Sequence, residues 1–278
     1  MTPRELIRAA SQRLRLAGIP DPENDSSLLL SSLCGIAPLT LRLDEETRLD
    51  EDMLFRYESL VERRLTREPL QYILREAPFC GHLFYVDSRV LIPRPETELL
   101  CGWALEVLSG QKEPRILDLC CGSGCIGLSL KSARPDAAVT LSDLSADALF
   151  VAGINAQRLS LDVSYHEGDL LDGISSASFD LIVCNPPYIP AGDCEDLQPE
   201  VLYEPRMALD GGPDGLAFYR RLVASAYSVL PSGAALLMEL GINESFAVSS
   251  LLADSGYCSL KTRCDLAGIE RMILAFRP

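Results

Sequence analysis

From residue 114 to the C-terminus, short apolar runs of strand length alternate with stretches of helix length, and no other feature constrains the fold as much. "RILDLC" reads as a strand, "GCIGLSLKSAR" as a helix, "AAVTLSDL" as a strand, "SADALFVAGINAQRL" as a helix, and "VSYHEGDL" and "FDLIVCN" as strands. A helix near 215–229, the apolar "GAALLMEL" and the closing pair "YCSLKTRCDL" and "ERMILAFRP" follow. Strands this apolar need cover on both faces, so the pattern predicts an α/β fold with a mostly parallel sheet between helices. The last two strands, joined by a short "AG", predict an antiparallel hairpin at the sheet edge.

The first part of the chain has a different period. Leu6, Ile7, Ala10, Leu14 and Ala17 lie on one side of an amphipathic helix that stops at Gly18. Further helices fit Asp25 to Leu33 and "DEDMLFRYESLVERRLTRE", so residues 1–75 predict a small helical domain of three or so helices, suited to docking a partner. Residues 76–93 are rich in aromatic and β-branched side chains and broken by Gly81 and Asp87, which predicts a β-hairpin linker. The α/β domain then takes up 94–278, beginning with a helix in "RPETELLCGWALEVL" whose first turn carries Pro95, Glu96 and Glu98.

Composition narrows the class of function. No apolar run among the 278 residues approaches the roughly 18 of a membrane span, and the N-terminus lacks the apolar core of a secretory signal, so a cytoplasmic protein with no membrane partner is expected. Ten cysteines in such a chain read as reduced thiols. Cys120, Cys121 and Cys125 cluster, but no second group with zinc-ligand spacing follows, and His82 and His166 are isolated, so no metal is expected. With 40 acidic against 25 basic residues the formal charge is −15, unfavourable for sequence-independent binding to nucleic acid.

In open parallel sheets, ligands bind beyond the carboxyl ends of the strands. The first such end carries "LDLCCGSGCIG", in which Gly122, Gly124 and Gly127 satisfy G-x-G-x-x-G, a pattern shared with nicotinamide- and flavin-dependent enzymes. Asp118, at the strand terminus, would repel a pyrophosphate but would suit a ligand bearing a sulfonium. Asp143 ends the second strand, where an acidic residue accepts from ribose hydroxyls; it also fits the start of the next helix. Adenosine with a positive charge describes S-adenosylmethionine. Asp169 and Leu170 end the third strand, near where an adenine would lie, although Asp169 reads equally well as a turn residue.

The fourth strand ends on "NPPY". The Asn185 amide offers a carbonyl acceptor, Pro186 and Pro187 present carbonyls without N–H donors, and Tyr188 supplies a flat aromatic face. This set suits a planar NH2 group that donates two hydrogen bonds while its own face stays open to a methyl donor. A rigid loop entry is the structural alternative.

Together these loops resemble class I S-adenosylmethionine-dependent methyltransferases of Rossmann-like fold, among which adenine-N6, guanine-N2 and glutamine-N5 enzymes share Asn-Pro-Pro-Tyr. "REPLQYILREAPFCGHLFYVDSRVLIPRPETELL", "NPPYIP", "EPRMALDGGPDGLAFYRRL" and "DLAGIERMILAFR" resemble one group, the peptide chain release factor glutamine methyltransferases of the PrmC/HemK family, over nearly the whole chain. The resemblance implies methylation of the glutamine in the Gly-Gly-Gln motif of class I release factors, with S-adenosylhomocysteine as the second product. It places the cofactor loop on Cys120, Cys121, Gly122, Ser123 and Gly124, Asp143 on the ribose, Leu170 near the adenine, and the substrate on Asn185 to Tyr188. The alternatives are a nucleic-acid N-methyltransferase, an oxidoreductase using "GSGCIG", or a non-catalytic adaptor. The family usually has glycine then threonine where Cys120 and Cys121 stand, and a non-glycine residue at 120 is expected to give up positive φ.

Overall fold

A computed structural model describes residues 1–175 and 179–278. The chain forms two compact units, Met1–Glu76 with Gln198–Tyr203, and Ala77–Leu197 with Glu204–Pro278.

The first unit is helical: α1 Pro3–Leu16, α2 Pro22–Cys34, α3 Pro38–Leu43, α4 Glu51–Leu65 and α5 Leu70–Leu74. A capping box of Thr2 and Glu5 starts α1, and Gly35 in the left-handed region ends α2. Leu14, Leu29, Leu30, Tyr57 and Val61 form the centre of its core. Five helices stand where three or so were expected. The two extra ones are six and five residues long, too short for a hydrophobic period to register. The return of Gln198–Tyr203 to this unit has no counterpart in the sequence reading. It is held by buried Arg64, whose Nε donates to Asp25 Oδ2 (2.8 Å) and Nη2 to Glu200 Oε1 (2.9 Å), and by Arg67 Nη2 on Glu200 Oε2 (2.7 Å).

The second unit opens with a hairpin, β1 Ala77–Phe79 and β2 His82–Phe84, turning at Cys80 and Gly81. The hairpin is shorter than the stretch expected for it, since no strand is assigned over 85–94. There follow α6 Pro95–Val107, β3 Arg115–Leu119, α7 Cys125–Ala133, β4 Ala138–Asp143, α8 Ala146–Leu159, β5 Ser164–Glu167 and β6 Leu181–Cys184. The chain ends through α9 Ala217–Val229, β7 Ala235–Glu239, α10 Ser245–Asp254, β8 Cys258–Cys264 and β9 Glu270–Phe276.

Seven strands form one sheet in the order β5-β4-β3-β6-β7-β9-β8, parallel up to β7, with β9 antiparallel to both neighbours. The fold is therefore the expected α/β sheet with an antiparallel edge hairpin. Alternation along β3 divides the core: Ile116 packs with Leu100, Trp103 and Leu128 on one face, and Leu117 and Leu119 pack with Tyr219, Leu222 and Leu236 on the other. Helix α10 was not anticipated. It buries only Val248 and Leu252 and leaves Phe246 exposed, so its apolar period is faint. Consecutive strands run outward from β3 to β4 and β5, then return to β6 on the other side of β3. This reversal opens a crevice beyond the strand ends.

Candidate active site

At the end of β3 the chain makes the tight turn the glycines suggested. Cys120 adopts φ +58°, Gly122 +53° and Gly124 +77°, and Gly124 N–H donates to the Cys121 carbonyl at 2.7 Å before α7 begins. The expectation that residue 120 loses positive φ is overturned. The left-handed conformation persists with a side chain that resists it, because the Cys121 N–H on Ser142 O (3.0 Å) and the Gly124 bond fix the turn.

Asp118 also departs from its expected place. By alternation along β3 it shares the face of Ile116, beneath α7, where it is fully buried. Its Oδ2 accepts from Gly127 N–H at 2.7 Å, while Oδ1 has no partner among the described residues. Burial pushes this carboxyl up to about 7. Asp118 therefore anchors the helix that follows the loop and does not reach the crevice.

Asp143, at the end of β4, does reach it. Its Oδ2 accepts from Gly122 N–H and its Oδ1 from Ser145 N–H, both at 2.9 Å. Burial raises this carboxyl above its ordinary value, against the pull of those backbone donors. Each oxygen retains a lone pair, so a diol can still be received.

A cleft lies here, lined by Cys120, Gly122, Asp143, Asp169, Leu170, Asn185 and Pro187. These come from the ends of β3, β4, β5 and β6. Cys121, Ser123, Gly124, Pro186 and Tyr188 are not part of its lining. Asp169 is held by Arg221 Nη2 at 2.8 Å, which occupies Oδ2. Arg89, Leu144, Pro205, Met207 and Phe218 are among the further wall residues that were not anticipated, although all but Leu144 fall in stretches that carry the family resemblance. An acidic acceptor, a glycine turn and apolar walls from Leu144, Leu170 and Phe218 fit an adenosine-bearing cofactor.

Behind Asn185 lies a buried polar network. Thr97, in the first turn of α6, donates through Oγ1 to Glu239 Oε2 at 2.6 Å, and Asn185 Nδ2 lies 3.4 Å from the same Thr97 oxygen. The Tyr188 hydroxyl donates to Glu239 Oε1 at 3.3 Å, so this ring is anchored away from the cleft and lines a neighbouring pocket. Burial raises the Glu239 carboxyl, and Thr97, Tyr188 and Arg271 oppose that rise. The loop after Tyr188 is clamped by Ile189 N–H on Leu209 O (2.9 Å) and Gly211 N–H on Ile189 O (2.7 Å). A Cβ at Gly211 would stand 2.7 Å from Tyr188 Cα. Among the described residues, no group of three or more His, Cys, Asp or Glu side chains is gathered as for a metal ion.

Residues 5–74 match the PrmC N-terminal domain and 97–212 the methyltransferase small domain. A release factor glutamine methyltransferase of Deinococcus radiodurans is 42% identical over 274 residues, covering 99% of this chain and 98% of that protein. The chain belongs to the release factor glutamine methyltransferase family. The member from Geobacter sulfurreducens is 41% identical over 92% of this chain and 90% of its own length. Among solved structures, a methyltransferase from Pyrococcus furiosus matches with a TM-score of 0.52 at 17% identity, covering 70% of this chain and 88% of that one. A T. thermophilus 16S rRNA methyltransferase solved with AdoMet and guanosine matches at 0.54 and 19%, covering 73% and 50%. At these identities the two structures share the fold of this family member and nothing finer.

Proposed function

We propose that the chain transfers a methyl group from S-adenosylmethionine to the side-chain amide nitrogen of the glutamine in the Gly-Gly-Gln motif of class I release factors. The observation that carries this reading is the meeting of Asn185 and Asp143 at one cleft, in a chain that a release factor glutamine methyltransferase matches over 99% of its length. In the proposed arrangement Asp143 receives the ribose hydroxyls, and Leu144 and Leu170 pack on the adenine. The bound cofactor supplies an electrophilic methyl carbon on a sulfonium, which is left as a neutral thioether.

A glutamine amide nitrogen is a weak nucleophile, because its lone pair is delocalised into the carbonyl. Asn185 Oδ1 would accept one of its hydrogens, and the Pro186 carbonyl, between the lining residues Asn185 and Pro187 though not itself in the lining, would accept the other, directing the nitrogen along the line of attack. The same acceptors stabilise positive charge appearing on that nitrogen. No strong base is required, since the methylated nitrogen is acidic and loses its proton afterwards. Alignment is the main contribution, and in favourable systems it removes roughly 7–11 kcal/mol of barrier. The helical unit is assigned to docking the release factor, in a cytoplasmic setting without direct contact to nucleic acid or membrane. The acidic balance supports that choice over a nucleic-acid substrate.

Incubation with labelled S-adenosylmethionine and a release factor, DNA or RNA tests the reading. Label is expected on the release factor alone and is lost when the Gly-Gly-Gln glutamine is changed. Transfer only to nucleic acid would overturn it. Asn185→Ala is expected to slow transfer about a hundredfold or more while the protein still binds S-adenosylhomocysteine.

A further inference from the structure

The threonine of "IPRPETE", a segment within the stretches that carry the family resemblance, takes no part in the proposed transfer itself. Thr97 is buried in the first turn of α6 and lies within hydrogen-bonding distance of Glu239, from the end of β7, and of Asn185, from the end of β6. The protons in this cluster can be counted. Both Thr97 and Tyr188 donate to Glu239, and taken as the carboxylate that those two donors favour, Glu239 can only accept. Tyr188 donates to the other oxygen, Oε1. The one hydroxyl proton of Thr97 is therefore committed to Glu239, and its oxygen can offer only lone pairs to Asn185. The amide group facing it must be the NH2.

We infer that Thr97 and Glu239 are positioning residues whose hydrogen-bond polarity fixes the direction of the Asn185 amide and leaves Oδ1 as the acceptor available to the substrate. With the amide reversed, Oδ1 would face the Thr97 oxygen with no proton between them. The cleft would then present an NH2 to the substrate's NH2, donor against donor. The network selects for a substrate that donates and against one that accepts. Glu239 also receives Tyr188, so one buried carboxylate orders both ends of Asn-Pro-Pro-Tyr.

This inference rests on the acceptor role given to Asn185, and a double-mutant cycle separates the two. Single-turnover methyl transfer to a release factor, at excess enzyme, is measured for the parent, Thr97→Val, Asn185→Ala and the double variant, with S-adenosylhomocysteine affinity and melting temperature recorded for each. Thr97→Val is expected to slow transfer about tenfold with cofactor affinity unchanged, and to add less than about twofold in the Asn185→Ala background. Thr97→Ser, which keeps the hydroxyl, is expected to recover the rate to within about threefold of the parent. Glu239→Gln has a single acceptor oxygen and cannot receive both Thr97 and Tyr188, so it is expected to slow transfer as Thr97→Val does. It also carries the test if Thr97→Val does not fold. A parent that labels no release factor sinks the functional reading and this role with it. A parent that labels it, slows with Asn185→Ala, but keeps its rate in Thr97→Val and Glu239→Gln sinks the positioning role alone. Full multiplication of the Thr97→Val and Asn185→Ala effects does the same.

Discussion

Cys120 keeps a backbone conformation that its side chain disfavours, and its place at the cleft makes that strain measurable. At φ +58° a β-carbon costs on the order of 1–2 kcal/mol, part of which glycine returns as unfolded-state entropy. Cys120→Gly is therefore expected to raise stability by about 1 kcal/mol in a denaturant titration, without loss of cofactor binding. Asp118 makes a second residue-scale prediction. Its folded value of about 7 lies above the 3.8 of an ordinary aspartate because burial disfavours the anion. The folded state binds the proton more tightly, so this contribution to stability is full below pH 3.8 and is lost as pH rises through 7. Asp118→Asn cannot titrate, so its melting temperature should fall less between pH 4.5 and 8 than the parent's. A difference on the order of 2 kcal/mol across that range is expected. Equal slopes would place the proton on another group.

At the scale of elements, the approach of α7 to β3 and β4 depends on Gly127. A β-carbon there would run into the Leu141 side chain and stand 2.9 Å from Asp118 Cβ and Oδ2, so the helix would have to move off the sheet. Gly127→Ala is expected to cost about 1–3 kcal/mol and to weaken S-adenosylhomocysteine binding, since the glycine turn shifts with the helix; thermal melts and calorimetric titration read both. The helical unit has a comparable dependence on Glu200, which returns to it from far along the chain. Glu200→Ala strips Arg64 and Arg67 of an acceptor while Asp25 still holds Arg64. A loss of about 1–3 kcal/mol is expected, seen as a lower midpoint in urea. An unchanged midpoint would mean that water replaces the carboxylate without penalty.

For the whole molecule, the mostly parallel sheet, its edge hairpin and the catalogue of strand-end residues were legible because they follow from local periods and from the rule that ligands sit beyond parallel strand ends, whereas the order of the strands came only from the structure. Seven of the candidate residues line one cleft for that reason. Helix α10, with two buried side chains, and the five-residue α5 gave too weak a period to read. Fold class and the chemistry offered at the strand ends are written in patterns among neighbouring residues, and so could be read from the chain alone. The place of Asp118 beneath α7 came from the packed fold, because alternation states that successive side chains oppose each other but not which face meets which helix. The packed fold alone brought together Thr97 and Glu239, 142 residues apart, beside Asn185, since such a contact depends on how α6 packs against β6 and β7. In the proposed role of Asn185, their hydrogen bonds turn the amide of "NPPY" from a residue type into a directed acceptor.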